Sequence, residues 1–206
     1  MKQISIIVPV YNEEHSIHTF FTEFLRFKEG VLQQKDFKAN VLFVDDGSND
    51  QTYEILTKLA QANECCNVIF LSRNFGKEAA LFAGLEHANG DLIVPMDVDL
   101  QDPFDLIFEM ITAYENGADV VLARRSNRKT DTFVKRFSAQ WFYKLNNKMS
   151  ALKLEENVGD FRLMSREVVE NIKLLSERNV FMKGVLSWVG GNKIDIVEYV
   201  RSERSA

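Results

Sequence analysis

The feature that most constrains this chain is a rhythm. Short apolar runs at Ile4–Val10, Val41–Val44, Val68–Leu71, Leu92–Met96 and Val120–Ala123 alternate with stretches of helical periodicity. Most of the runs are continuously apolar rather than alternating. A strand reads that way when helices cover both faces of a mostly parallel sheet. Between them, Phe104, Ile107, Phe108 and Ile111 recur at helical spacing, with Asp102 expected as the cap and Pro103 in the first turn. A second helix is expected from Ser48, with Gln51 three residues on as a capping box, into Ile55, Leu56 and Leu59. After about residue 125 the rhythm changes to a basic amphipathic helix, a short strand near Phe161–Met164, another helix and a strand over Lys193–Val200. With no internal repeat and no linker, the 206 residues read as a single α/β domain.

Composition closes off several classes. Only two cysteines occur, adjacent at Cys65-Cys66, which gives neither a disulfide framework nor a zinc site and points to a reducing, cytoplasmic setting. No stretch approaches the roughly 18–20 apolar residues of a bilayer span, and the apolar start is too short for a signal peptide. The formal net charge of −5 argues against nucleic acid, but it is unevenly spread. From Arg124 to Lys148 there are eight basic residues against the single acid Asp131, a local +7 that leaves −12 on the rest of the chain.

The polar clusters fall where the apolar runs end, which in open α/β sheets is where ligands bind. They are Tyr11-Asn12-Glu13-Glu14, Asp45-Asp46-Gly47-Ser48-Asn49-Asp50 and Asp97-Val98-Asp99-Leu100-Gln101-Asp102. A short polar residue beside a turn caps a helix, which suffices for Asp50 or Asp102 taken singly. Three clusters on one sheet edge exceed what capping needs. Asp97 and Asp99, two apart in extended chain, can address one site, with Gln101 adding an amide oxygen. All-oxygen donors suit Mg²⁺ or Mn²⁺, ions that bridge to substrate phosphates. Phe75-Gly76-Lys77-Glu78 lacks the rest of a P-loop and no GxGxxG follows a strand, so ATP hydrolysis and NAD chemistry drop out.

Four segments carry a resemblance: VPVYNEE (Val8–Glu14), VDDGSNDQT (Val44–Thr52), SRNFGKEAA (Ser72–Ala80) and MDVDLQDP (Met96–Pro103). Together they resemble the nucleotide-sugar half of family 2 glycosyltransferases. NVGDFRLMSREVV (Asn157–Val169) and ERNVFMKGVLSWVGG (Glu177–Gly191) are similar to the polyprenyl-phosphate group of that family, in particular the bactoprenol glucosyltransferases of O-antigen modification. The resemblance implies a GT-A, Rossmann-like fold, with residues 1–123 as the nucleotide-sugar and metal half and 124–206 as the acceptor half. It implies a UDP-sugar donor, UDP-glucose in the nearest group, and undecaprenyl phosphate at the membrane surface as acceptor. Another donor, UDP-GlcNAc or GDP-mannose, and a non-catalytic sugar-nucleotide-binding module are the alternatives. Carried over by motif, Pro9, Tyr11, Glu13, Asp46 and Asp97 hold the nucleotide sugar, and Asp97, Asp99 and Gln101 hold the metal, with Asp99 also counted as catalytic. Lys77 is open between a donor-side residue and an exposed lysine.

On the acceptor side, Phe133, Phe137, Trp141, Leu145 and Met149 form an apolar stripe among basic neighbours. Such a helix packs on a core or suits a membrane surface and a lipid phosphate. The resemblance implies Arg125, Arg136 and Ser138 as acceptor-phosphate contacts, and Asp160 as a base or orienting residue. No QxxRW motif occurs, which disfavours a processive polysaccharide synthase. Relatives continue beyond the position of Arg204 into membrane-spanning helices. The chain is therefore expected to be the catalytic domain of an anchored protein, on the cytoplasmic face of the bacterial inner membrane.

Overall fold

The computed structural model describes residues 1–125, 158–174 and 193–200. Seven strands form one sheet: β1 (Lys2–Val10), β2 (Phe37–Asp45), β3 (Cys66–Phe70), β4 (Leu92–Pro95), β5 (Val120–Arg125), β6 (Val158–Ser165) and β7 (Ile194–Tyr199). The described helices are α1 (Ile17–Lys35), α2 (Thr52–Ala62), α3 (Lys77–His87), α4 (Asp105–Glu115) and α5 (Arg166–Lys173). Strand order is β3-β2-β1-β4-β6-β5-β7. β1, β2, β3 and β4 pair in parallel, as do β5 and β7, while β6 runs antiparallel between β4 and β5.

Helices cover both faces, as the continuous apolar runs require. On one side Ile4, Ile6 and Val8 of β1 join Phe20, Phe24 and Phe27 of α1, Leu56 of α2 and Ile107 and Ile111 of α4 in one core. On the other, Ile7 of β1 packs with Leu81 and Leu85 of α3 and with Val168 and Ile172 of α5. The break in the β1 run, Ser5, is fully buried, and its hydroxyl is satisfied on both sides. It donates to Asn40 Oδ1 at 2.8 Å and accepts from the Gly90 N–H at 2.8 Å. α1 buries an aromatic stripe, Phe20, Phe21, Phe24 and Phe27, whose ring of Phe27 stacks on Phe104 with centroids 5.2 Å apart.

Two expected helix starts differ. α4 begins at Asp105, with Phe104 rather than Asp102 at its N-cap position. Asp102 is 3% exposed and accepts the Tyr199 hydroxyl from β7, which gives a buried phenol its hydrogen-bond partner. α2 begins at Thr52 with no Ser48–Gln51 capping box. The Ser48 hydroxyl is taken up by Asp45 and by the Asn12 N–H, and Asp50 accepts the Thr52 N–H at 3.0 Å instead.

The strand order reverses direction at β1, which has β2 on one side and β4 on the other. The carboxyl ends of β1, β2 and β4 therefore share one edge of the sheet, the edge at which open α/β sheets bind ligands. β1 and β2 end level, with Val10 beside Asp45.

Candidate active site

Three loops meet at that edge, and hydrogen bonds from backbone N–H groups to side-chain oxygens hold them together. The loop after β1 is fastened to the loop after β2 from both directions. Asn12 N–H donates to Ser48 Oγ (2.9 Å), Glu13 N–H to Thr52 Oγ1 (3.0 Å) and Glu14 N–H to Asp50 Oδ2 (3.2 Å). In return Asn49 N–H donates to Asn12 Oδ1 (2.8 Å) and Gln51 N–H to Glu14 Oε2 (2.9 Å). Asn12 reaches this geometry in the left-handed region, at φ 55°, which asparagine tolerates better than most residues.

The loop between β3 and α3 is held by one side chain. Asp46 is 4% exposed, and its two carboxylate oxygens each accept a backbone N–H at 2.8 Å, from Phe75 and from Gly76. Gly47 lets that loop approach: at φ 72°, a Cβ on it would lie 2.5 Å from the carbonyl carbon of Arg73. Its neighbour Asp45 is buried, and burial pushes its carboxyl above the ordinary value, against the hydrogen bonds from Ser48.

The result is a cleft of about 360 Å³ lined by Pro9, Tyr11, Glu13, Asp46, Lys77, Asp97 and Asp99, with Val10, Asn74, Gly76, Ala80 and Val98 completing its walls. The residues expected to hold a nucleotide sugar thus share one cavity. Gln101 is not among the lining residues; its backbone N–H donates to Asp99 Oδ1 at 3.2 Å. Between them Leu100 sits at φ 55°, an uncommon conformation for a leucine that turns the chain sharply after Asp99.

Lys77, the first residue of α3, lines the cleft among the carboxylates of Glu13, Asp46, Asp97 and Asp99. Its Nζ lies 2.6 Å from Asp97 Oδ1 and 3.2 Å from Asp160 Oδ2 on β6. Burial works to lower the ammonium's pKa, but the Asp97 and Asp160 carboxylates outweigh it and raise it above the ordinary value. One cation therefore ties the turn after β4 to the antiparallel strand β6. Beneath Asp160, the Arg162 guanidinium is 3% exposed and donates to the Gly159 carbonyl at 2.8 Å and the Asp160 carbonyl at 3.3 Å. Burial pulls its pKa down to about 10, against the nearby Asp160 and Glu78 charges.

Arg125 stands at the end of β5, where its Nε donates to the Tyr199 hydroxyl at 3.2 Å. Burial opposes its charge, but Tyr199 and the Asp102 and Asp97 carboxylates prevail and raise its already high pKa. Arg136 and Ser138, with the basic amphipathic helix, lie outside the described residues. Sequence reasoning left Lys77 undecided and missed Tyr199. The signal for Lys77 was its motif, RNFGKE, at the start of a helix facing the sheet edge; for Tyr199 there was none, since β7 meets Asp102 only in three dimensions.

Among the described residues no group of three or more His, Cys, Asp or Glu side chains could hold a metal alone. Asp97 and Asp99 in one cleft nevertheless fit a hard divalent ion, because such ions are commonly held by one or two carboxylates with substrate phosphates and water supplying the rest. No described helix is long and apolar enough to cross a membrane.

Comparison with known proteins agrees with this geometry. The model of glycosyl transferase family 2 matches residues 5–173. The chain is 56% identical over 204 residues to the bactoprenol glucosyl transferase of Shigella phage SfV, covering 99% of this chain and 65% of that protein. The prophage bactoprenol glucosyl transferase homolog of Escherichia coli (strain K12) gives the same identity over 204 residues, with 99% and 65% covered. The chain thus spans about 65% of the length of these curated relatives. In fold it is similar to glucosyl-3-phosphoglycerate synthase from Mycobacterium tuberculosis, crystallised with Mn²⁺ and UDP-glucose. That match has a TM-score of 0.63 at 19% identity and covers all of this chain and 72% of the other, which fixes the architecture as GT-A. From the strand-end motifs through β6 and into α5, the chain belongs to glycosyl transferase family 2.

Proposed function

We propose that this chain is the catalytic domain of an inverting transferase that moves glucose from UDP-glucose to undecaprenyl phosphate at the cytoplasmic membrane face. The observation that carries the reading is the single cleft at the strand ends, which gathers Pro9, Tyr11, Glu13, Asp97 and Asp99. The 56% identity to proteins named bactoprenol glucosyl transferase supports the lipid acceptor and the sugar.

In this reading Tyr11, 40% exposed at the cleft, offers a face to the uracil, and Glu13 accepts from the ribose hydroxyls. Asp46 acts by holding Phe75 and Gly76 in place. Asp97 and Asp99 would hold Mg²⁺ or Mn²⁺, which when bound offsets charge building on the departing UDP. The acceptor is a phosphate monoester, largely a dianion at pH 7 because its second pKa is near 6. Its oxygen forms the bond to the anomeric carbon as the bond from that carbon to UDP breaks, the electron pair leaving with UDP. No proton has to move. Asp160, engaged by Lys77, then orients the cleft rather than acting as a base, and Arg125 meets the acceptor phosphate. In-line displacement of this kind draws its rate from alignment and from stabilised leaving-group charge.

The test is a panel incubation of the protein with undecaprenyl phosphate in detergent, Mg²⁺, and UDP-glucose, UDP-GlcNAc or GDP-mannose, with mass spectrometry of the lipid. A hexose added from UDP-glucose alone is the expected result. Product from another donor corrects the sugar. Nucleotide-sugar binding with no lipid product from any donor overturns the transferase reading in favour of a binding module.

A further inference from the structure

Lys77 Nζ sits 2.6 Å from the same Asp97 carboxylate that a divalent ion would use. Two cations crowded onto that oxygen repel each other, so the ammonium and the ion compete for it. Lys77 also has somewhere to go: Asp160 Oδ2 on β6 lies 3.2 Å from its Nζ, the carboxylate 27% exposed. The lysine side chain itself is 45% exposed and follows Gly76, around whose Cβ position there is open space. A flexible four-carbon stem can exchange one carboxylate for the other without moving the helix.

We infer that Lys77 is a positioning residue that competes with the divalent ion for Asp97, and that Asp160 is the carboxylate that receives the displaced ammonium. Before exchange, Lys77 joins the turn after β4 to β6. After it, the ammonium rests on Asp160, and Asp97 is released to the ion. The pairing of donor-side motif, lysine and β6 carboxylate thereby couples loading of the donor half to the placement of Asp160 in the acceptor half. The inference rests on the reading of Asp97 and Asp99 as metal ligands given above.

The experiment is Mn²⁺ binding by the whole chain, read from the electron paramagnetic resonance signal of free Mn²⁺, with and without UDP. K77M should bind Mn²⁺ more tightly than wild type in the absence of UDP, by about threefold to tenfold. D160N should weaken binding in the wild-type background, because Lys77 then rests on Asp97 alone. In the K77M background the same change should have little effect, and this non-additivity separates exchange from a general change in local charge. K77Q, an uncharged residue of similar polarity, serves as the second variant should K77M fold poorly. Unchanged or weaker Mn²⁺ binding in K77M or K77Q overturns the inference, as does a D160N effect of equal size in both backgrounds. Binding that is lost in D99A but indifferent to Lys77 overturns this inference and leaves the metal reading standing. Absence of Mn²⁺ binding by the wild type even with UDP overturns both.

Discussion

The Tyr199 hydroxyl donates to the Asp102 carboxylate, joining the last described strand to the turn that follows Asp97 and Asp99, and the same hydroxyl accepts from Arg125. Burial pushes the phenol's pKa up to about 12, the Asp102 hydrogen bond adds to that, and Arg125 opposes it. A folded-state pKa above the unfolded value of about 10 means the neutral phenol contributes stability in full below pH 10. That contribution is lost as pH rises from about 10 to about 12, at about 1.4 kcal/mol per unit of separation. Alkaline titration of tyrosinate absorbance should show a late component, and Tyr199→Phe should remove it while lowering the thermal midpoint at pH 7. A late component that persists in the variant would assign it to another tyrosine.

Asp46→Ala should cost on the order of 3 kcal/mol, since it strips the Phe75 and Gly76 N–H groups of a charged acceptor at a buried position. Denaturant unfolding measures the loss. Because those N–H groups belong to the loop that presents Lys77, UDP-glucose affinity should fall as well. Calorimetric titration with UDP-glucose checks that second effect.

Gly47→Ala places a methyl 2.5 Å from the Arg73 carbonyl carbon and 2.9 Å from the Asn74 nitrogen, both backbone atoms, on a residue already at φ 72°. Backbone has to shift, and strain of this kind costs about 1–3 kcal/mol. Hydrogen exchange should show the 73–76 amides losing protection, including the two that Asp46 holds. Wild-type protection of Phe75 and Gly76 in this variant would mean the loop does not depend on the close approach.

Asp50 gives a pH-dependent test. Its burial penalty is outweighed by hydrogen bonds from Thr52 and from the Glu14 N–H, so its pKa lies below the ordinary 3.8. A depressed folded-state value means stability is present above pH 3.8 and is lost as pH falls through the lower, folded-state value. The stability gap between wild type and Asp50→Asn should therefore be open at pH 7, by about 1 kcal/mol, and close as pH falls below 3.8. Chemical denaturation at a series of pH values measures it. A gap that stays constant into acid would show that the charge contributes nothing.

Much of this was written in the chain locally. Hydrophobic runs alternating with helical periods dictated a doubly covered sheet, because a strand buried on both faces must be apolar on both. The expected strands all occur, extended by one to four residues at several ends, as with β1 starting at Lys2 and β2 at Phe37. Pro9, Tyr11, Glu13, Asp46, Asp97 and Asp99 of the strand-end motifs line one cleft, because a parallel sheet brings successive strand ends to the same edge.

The sequence could not determine what each polar side chain would find across the fold. Asp102 looks like a cap because capping is a local relation, one residue to the next turn, whereas the Tyr199 hydroxyl that it accepts stands 97 positions away. The antiparallel direction of β6 was equally hidden, since an apolar run reads the same in either direction. That reversed strand is what places Asp160 opposite Asp97, with Lys77 between them. The residues of the site are thus set by sequence motif and strand ends. Their charge pairing is set by tertiary structure, because an ion pair depends on distances that chain order does not specify.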